Sequence, residues 1–226
     1  LTARQITILG TMTLAAHAMV VETAGQKKTG SPALYTELIR TLGSITLGIV
    51  MNLILPGRPV YDAATVNLSE IPFFQIQGEF WPMFMVWLKG VAKLAVWMTV
   101  LITLLNILQR AFYEYGIMNW ISRLFSPLLT LFGLPKETSF LWIVANVVGL
   151  SYGSDAIMDE MERGEISDRS IRLLNTHIGI SHSNLEDLML FAAVGGIWYW
   201  MLLFRWAMVT LLAWSLRLYF RLSRRS

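Results

Sequence analysis

The chain of 226 residues is strongly apolar: 55% of its residues are hydrophobic, 15% are charged, and its mean hydropathy is +0.54. This balance predicts an all-α, polytopic membrane protein and argues against a soluble globular domain. The chain contains no cysteine, which excludes disulfides, thiolate metal sites and cysteine nucleophiles. The formal net charge of +3 is small, and the basic residues cluster in a C-terminal tail. Because that tail directly follows an apolar span, nucleic acid is not an expected partner.

In chain order, the apolar segments predict three full membrane spans and two shorter, interrupted segments. Crossing the hydrocarbon core takes roughly 20 apolar residues. Ile6–Val21 and Ser139–Ser154 are shorter than that and include His, Gly, Ser or Asn, so each is predicted to be a half-spanning or re-entrant helix. The predicted full spans are Leu38–Leu55, Val91–Leu108 and Leu188–Leu216.

Three further segments are predicted to lie outside the hydrocarbon core. Arg110–Glu137 mixes aromatic and charged residues, which favours an amphipathic helix in the headgroup region. Pro56–Pro82 is polar and rich in helix breakers, and is predicted to be an extramembrane loop. The C-terminal tail, 217–226, contains four arginines and no acid, so by the positive-inside rule this tail is predicted to be cytoplasmic.

Comparison of the chain with itself indicates an internal repeat. Leu1–Arg40 aligns without a gap to Ile166–Arg205. The identical pairs include Arg4/Arg169, Ile6/Ile171, Leu9/Leu174, Thr11/Thr176, His17/His182, Gly30/Gly195 and Arg40/Arg205, with Thr2/Ser167 and Glu22/Asp187 as conservative pairs. Histidine and arginine are uncommon in membrane segments, so the equal spacing of His17 from Arg40 and of His182 from Arg205 carries most of the weight.

The repeat predicts four regions along the chain. Residues 1–55 form the C-terminal part of a first repeat, whose upstream part is expected to be absent from this sequence. Residues 56–82 are the loop, 83–216 the second repeat, and 217–226 the basic tail. Paired repeats in membrane proteins often bring broken helices together around a solute site, in either a parallel or an inverted arrangement. The sequence leaves both arrangements open.

Three stretches resemble a known family. They are "YEYGIMNWISRLFSPLLTLFGLPKE", "NVVGLSYGSDAIMDEMERGEISDRS" and "THIGISHSNLEDLMLFAAVGG", and the likeness runs from about Met83 to Arg205. They resemble the Gate, or nucleoside recognition, domain of spore maturation A and B proteins and of ferrous iron transporter B, and more distantly concentrative nucleoside transporters. The resemblance implies paired repeats with broken helices around a solute path. It does not extend to a GTPase domain or to cysteines that would serve an iron path.

Ionisable groups at membrane depth cost from about 2.5 kcal/mol upward, so they point to a site. His182 and Glu186 would share a face of a continuous helix, next to Asp187. The alternative is a capping box in which Ser183 begins the next helix and Glu186 is its third residue. The predicted substrate- or ion-binding residues are His17, Glu22, Asn146, Ser151, Ser154, Asp155, His182, Asn184, Glu186 and Asp187.

Two arginines and the glycines near Asn146 complete the candidate site. Arg40 and Arg205 are predicted to pair with Glu22 and Asp187, with contact to an anionic substrate as the alternative. Gly149 and Gly153 suggest that a helix unwinds beside Asn146 and frees carbonyl groups, and an ordinary glycine-capped helix end is the alternative. His177 and His182 are rotated about 140° apart on a helix, so no residue is assigned to a metal.

The sequence predicts a membrane transporter or channel-like protein that moves a small polar or ionic solute through a site between the repeats. The alternative is a non-transporting membrane scaffold or assembly factor whose polar cluster is structural. No phosphate-binding loop, nucleophile elbow or His-Glu-x-x-His motif occurs, so neither an enzyme nor a cofactor is expected. The expected partners are the lipid bilayer, the solute and further copies of the chain, in a bacterial inner membrane.

Overall fold

The structure, a computed structural model, describes residues 1–57 and 80–223. Every regular element in these two ranges is a helix, which confirms the all-α prediction. The helices are α1 (Ala3–Ala15), α2 (Met19–Lys28), α3 (Ala33–Ile54), α4 (Phe80–Glu114), α5 (Ile117–Leu131), α6 (Ser139–Val147), α7 (Leu150–Arg163), α8 (Asp168–Ser181), α9 (Glu186–Ala193) and α10 (Trp198–Leu222), with a 3-10 turn at Lys136–Thr138.

Four helical stretches of the described chain are long and apolar enough to cross a membrane. They are Ala3–Lys28, Ala33–Ile54, Phe80–Phe112 and Trp198–Leu222. The predicted spans at 38–55 and 91–108 fall on α3 and α4, whereas Ala3–Lys28 reaches spanning length only by joining α1 and α2 across a break. The protein is therefore an all-α membrane protein.

The prediction of one continuous span over Leu188–Leu216 is wrong, because the helix is interrupted inside it. Helix α9 ends at Ala193 and α10 begins at Trp198. Gly195 adopts φ +102°, a left-handed conformation that glycine tolerates best, and the Gly196 N–H donates to the Phe191 carbonyl over 2.9 Å. The span is α10 instead, and because it runs to Leu222 it includes residues 217–222 of the predicted tail.

The amphipathic segment and the loop also differ from prediction. Gly116, with φ +67°, separates α4 from α5, so 110–137 is not one helix. Pro82, the last residue of the predicted loop, lies in the first turn of α4, where proline is tolerated because an N–H at that position would have no acceptor within the helix. The remainder of that loop, 58–79, lies outside the described residues, as do residues 224–226 of the tail.

The chain divides into two compact units. One unit contains Leu1–Leu55 and Leu105–Ser226, and the other contains Pro56–Leu104. In the second unit the described helical residues, 80–104, expose apolar side chains such as Val86, Val96 and Val100. Such an apolar exterior suits contact with lipid. The two aligned segments of the repeats, 1–40 and 166–205, both lie in the first unit.

The repeat alignment places corresponding helices in corresponding positions: α1 with α8, α2 with α9, and α3 with α10. The backbone repeats in detail as well. Ala18 (φ +42°) and Ser183 (φ +53°) are equivalent positions of the alignment, and within the described chain they are the two non-glycine residues with positive φ. Thr2 and Ser167, also equivalent, each accept the N–H of the residue three positions later as the N-cap of α1 or α8.

Helix α1 runs antiparallel to α3 and parallel to α10. Arg4, near the start of α1, bonds Asn52 near the end of α3, and the Met12 carbonyl, further along α1, accepts from Ser44, earlier in α3. The two helices therefore run in opposite directions. Helices α1 and α10 run in the same direction, because Thr7 accepts from the Ile197 N–H and Gly10, later in α1, lies against Met201, later in the chain.

It follows that α3 and α10 run in opposite directions. A pocket at one end agrees, since it is lined by Pro32 and Tyr35 from the start of α3 and by Tyr219 and Phe220 from the end of α10. Where these helices cross a membrane, the axis relating the repeats lies in the membrane plane. The repeats are therefore inverted, the arrangement that the sequence had left open beside a parallel one.

Candidate functional site

The candidate site is a polar cluster at two matching helix breaks. His17 lies between α1 and α2, and His182 lies between α8 and α9. Each break is followed by a carboxylate in the first turn of the next helix, Glu22 in α2 and Asp187 in α9. The positive end of a helix dipole stabilises a carboxylate at that position.

The cluster joins the two repeats through the ring Nε2 atoms of both histidines. His17 Nε2 lies 3.1 Å from Glu22 Oε1 and 3.1 Å from Asp187 Oδ2. His182 Nε2 lies 3.0 Å from the same Glu22 Oε1. The two rings stack with their centroids 5.2 Å apart. One carboxylate oxygen of the first repeat thus bridges the histidines of both repeats.

The other nitrogen of each imidazole faces a main-chain carbonyl. His182 Nδ1 lies 2.8 Å from the Ile178 carbonyl oxygen, and His17 Nδ1 lies 3.3 Å from that of Leu14. His182 is fully buried, whereas the His17 side chain is 25% exposed. The cluster therefore has one closed side and one side that is partly exposed at the surface of the chain.

The two buried arginines cap the broken helices, which explains their common spacing from the histidines. Arg40 donates to the carbonyls of Ala15 (3.1 Å) and His17 (2.7 Å). At the equivalent position of the second repeat, Arg205 donates to those of Ile180 (2.8 Å) and His182 (2.6 Å). These are carbonyls that the end of a helix leaves without an intrahelical partner.

The two arginines differ in their further partners. Arg40 forms an ion pair with Glu22 Oε2, as the sequence predicts. The third hydrogen bond of Arg205 goes to Asn184 Oδ1 at 3.3 Å, so its direct bonds are to carbonyl and amide oxygens. The predicted pairing with Asp187 is present only as an electrostatic attraction.

A third helix break adjoins the cluster through Asn184. Helix α6 ends at Val147, and α7 begins after Gly149, whose φ is +108°. The Asn146 carbonyl accepts the Asn184 N–H over 2.8 Å, and the Asn184 side chain donates to Asn146 Oδ1 over 2.5 Å. The unwinding predicted near Asn146 is present, and its carbonyl bonds the loop between α8 and α9.

The predicted continuous helix through His182 and Glu186 and the predicted capping box are both wrong. The helix stops between these residues, so His182 is the C-cap of α8 and Glu186 the first residue of α9. The N-cap of α9 is Leu185, without a side-chain cap bond, and Ser183 bonds the Asp187 side chain instead. The carboxylate that His182 Nε2 meets is that of Glu22, in the other repeat.

The remaining predicted residues lie on α7. Ser154 is buried and packs beside Gly25 of α2. Asp155 is exposed. The side chain of Ser151 lies outside what the structure describes.

Sequence reasoning missed a second polar contact between the repeats. Asn175 in α8 donates to the Thr29 carbonyl over 3.0 Å, and Gln26 in α2 donates to the Asn175 carbonyl over 3.2 Å. All three side chains are buried. The position of Asn175 beside apolar residues of α8 could have marked it as a buried polar residue. Its partner could not have been predicted, because Thr29 belongs to the other repeat and no local sequence pattern connects the two.

His177 is separate from the cluster. Its Nδ1 accepts the indole N–H of Trp142 over 2.9 Å, and its ring stacks on Phe132. Burial lowers the pKa of His177 to about 3, so this side chain, which lies outside the four stretches of spanning length, is neutral at physiological pH.

Comparison with known proteins agrees with the membrane assignment. No family model and no solved structure matches the chain. It is similar to the uncharacterized membrane protein YvoD of Bacillus subtilis (strain 168), at 24% identity over 200 residues, which is 86% of this chain and 62% of that protein. The chain thus spans about three fifths of the relative's length. The similarity and the four long apolar stretches together identify the chain as an integral membrane protein.

Proposed function

We propose that the protein is a transporter or channel-like protein that moves a small polar or ionic solute through the cluster between its repeats. The observation that carries this proposal is the meeting of His17, Glu22, His182 and Asp187 at two helix breaks. Inverted repeats with broken helices are the arrangement in which many secondary transporters hold their substrates. The resemblance to the Gate family points the same way.

The proposal also covers the membrane location, the topology and the oligomeric state of the protein. It includes a bacterial inner membrane as the location, and the arginines towards the end of the chain support a cytoplasmic C-terminus by the positive-inside rule. A homo-oligomer is part of the same proposal. No enzymatic step is proposed.

Flux through proteoliposomes tests the transport activity. Vesicles with purified protein would be exposed to monovalent salts, divalent metal chlorides and neutral polar solutes, and uptake compared with protein-free vesicles. At least one solute class is expected to enter faster, and both Glu22→Gln and His182→Ala are expected to remove most of that rate, because they break the bridge between the repeats. Glu114→Gln, at an exposed carboxylate of α4, is the matched control.

Two results would contradict the proposal, the first against transport and the second against the cluster as its path. One is uptake equal to that of protein-free vesicles for every solute. The other is a flux that Glu22→Gln and His182→Ala both leave unchanged, which would move the path elsewhere.

A membrane scaffold is the second candidate, and the bonding of the arginines favours it. Arg40 and Arg205 bond carbonyl groups of their own repeats, which fixes the fold without requiring a solute. The scaffold predicts that the wild type shows no flux above that of protein-free vesicles and that the cluster variants lower its unfolding temperature. The same purified variants answer both questions.

A further inference from the structure

We infer that His17, His182, Glu22 and Asp187 form a binding site for a divalent transition-metal ion, with Zn²⁺ and Mn²⁺ as the representative ions. The inference deepens the proposed function, because it names the class of ion that the cluster would pass. It goes beyond the prediction from sequence, in which only His177 and His182 were considered as a metal-binding pair and no metal ligand was assigned. The histidine that His182 meets is His17, in the other repeat.

The nearest donor atoms of the cluster lie at separations close to those within a coordination shell. Donors of His17, His182 and Asp187 lie within 4.8 Å of one another. Metal–ligand bonds of about 2.0–2.1 Å in tetrahedral geometry place neighbouring donors about 3.3 Å apart. In the structure the separations are 3.1 Å from His17 Nε2 to Glu22, 3.1 Å from His17 Nε2 to Asp187, and 3.0 Å from His182 Nε2 to Glu22. For these three pairs, an opening of a few tenths of an ångström would give the separations of a tetrahedral shell.

The outer contacts of the imidazoles are those of metal-ligating histidines. Such a histidine donates its second ring N–H to a carbonyl or carboxylate, which fixes the tautomer and leaves the other nitrogen free to bind the ion. His17 Nδ1 faces the Leu14 carbonyl and His182 Nδ1 faces that of Ile178. Both Nε2 atoms then point at carboxylate oxygens.

That arrangement creates a need for a positive group between the rings and the carboxylates. A neutral imidazole has one N–H, and if this faces the carbonyl, Nε2 presents a lone pair to oxygen atoms that are also acceptors. A metal ion between Nε2 and the carboxylates converts this unfavourable contact into coordination. A second proton on each ring is the competing way to satisfy it.

The chemistry of the donors selects the class of ion. Imidazole nitrogen favours transition metals over Mg²⁺ and Ca²⁺, which take oxygen ligands. The chain has no cysteine, so no thiolate competes. Glu22 holds Arg40 with its other oxygen, an outer contact that orients the carboxylate. The charges of Arg40, Arg205, Glu22 and Asp187 cancel, so with neutral imidazoles an approaching ion meets a cluster without net charge.

Equilibrium binding of the metal alone to the purified, detergent-solubilised full chain tests the site. Zn²⁺ and Mn²⁺ are each expected to bind with one ion per chain, and Mg²⁺ at the same concentration is expected not to bind measurably. His17→Ala and Asp187→Asn are each expected to weaken Zn²⁺ binding by more than about 100-fold, since each removes a direct ligand. Asp159→Asn, at an exposed carboxylate of α7, is the matched control and should bind as the wild type does.

A second test compares the unfolding temperature of each protein with and without Zn²⁺, so that it remains informative even if a variant is less stable than the wild type. The wild type is expected to unfold at a higher temperature with the ion, because a ligand that binds the folded state stabilises it. Asp187→Glu, which keeps a carboxylate, should retain part of that rise, whereas Asp187→Asn should lose it. No binding of Zn²⁺ or Mn²⁺ to a folded wild type would overturn the inference in favour of protonated imidazoles.

Zn²⁺ uptake into proteoliposomes with a trapped metal indicator separates the two proposals. Binding without uptake would leave the metal site intact and contradict transport of the metal. Uptake of another solute, together with no metal binding, would contradict the metal site and leave transport in place.

Discussion

Arg205 shows how a charged residue becomes tolerable inside a membrane protein. Its guanidinium is fully buried, and it donates to the carbonyls of Ile180 and His182 and to the Asn184 side chain. A main-chain carbonyl without a partner in an apolar setting costs about 1–3 kcal/mol. Because α8 ends at Ser181, the arginine supplies the hydrogen bonds that another turn of helix would have supplied.

Arg205→Met should therefore destabilise the fold by about 3 kcal/mol or more, since it leaves two buried carbonyls without donors. Arg205→Lys should be intermediate, because one ammonium group cannot reproduce the planar fork of a guanidinium. Thermal unfolding in detergent, followed by circular dichroism, measures the effect. Arg221→Met, at an exposed position of the same helix, is the control. A wild-type unfolding temperature for Arg205→Met would show that the carbonyls find other partners.

At the scale of the elements, the two breaks share one backbone conformation. Ala18 and Ser183 both lie in the left-handed region, which costs a residue with a β-carbon about 1–2 kcal/mol relative to a right-handed conformation. This conformation turns the chain sharply enough for His17 and His182 to leave their helices and stack. The strain coincides with the cluster in both repeats.

Ala18→Gly should stabilise the fold by about 0.5–1 kcal/mol, because glycine adopts positive φ without steric cost and the gain exceeds its extra entropy loss on folding. The shift in the midpoint of chemical denaturation in detergent measures it. Ala207→Gly, in the middle of α10 and exposed, should have the opposite sign, at up to about 1 kcal/mol. Equal destabilisation by both substitutions would mean that Ala18 is not strained.

At the scale of the molecule, the two repeats have opposite directions. Contacts along α1 and α8 fix this, since Arg4 meets Asn52 near the end of α3, and Tyr35 near its start bonds Thr176 in α8. The start of α3 then lies with the end of α10. Each repeat supplies one histidine and one carboxylate to the cluster, so the cluster exists only when both are folded against each other.

Cysteine labelling tests the opposite directions, and the absence of native cysteine makes the background low. Leu34→Cys and Leu218→Cys should react with an impermeant maleimide from the same side of the membrane, the cytoplasmic side if the basic end of α10 is cytoplasmic. Tyr199→Cys should react from the other side. All three native side chains are exposed in the structure. Labelling of Leu34→Cys and Tyr199→Cys from one side would indicate parallel repeats.

The sequence by itself determined the class of protein, and it named the four residues of the cluster among a longer set of predicted site residues. Apolar composition is a sum over residues and is independent of the fold, which is why the all-α membrane character could be predicted. The repeat named His17, Glu22, His182 and Asp187 because equivalent residues keep their spacing in both copies. The break at Gly195 was not predicted, because the apolar segment around this glycine is long enough for a continuous membrane span.

Only the tertiary structure decided how these residues pair. His182 meets Glu22 across the repeats, because α8 ends before an i, i+4 relation with Glu186 can form, and a contact between distant parts of the chain leaves no local pattern. The direction of the repeats was likewise undecided, since hydropathy is the same for a helix in either direction. The role of the two arginines could not be predicted either. They donate to carbonyls at the ends of helices, and where those helices end was known only from the tertiary structure.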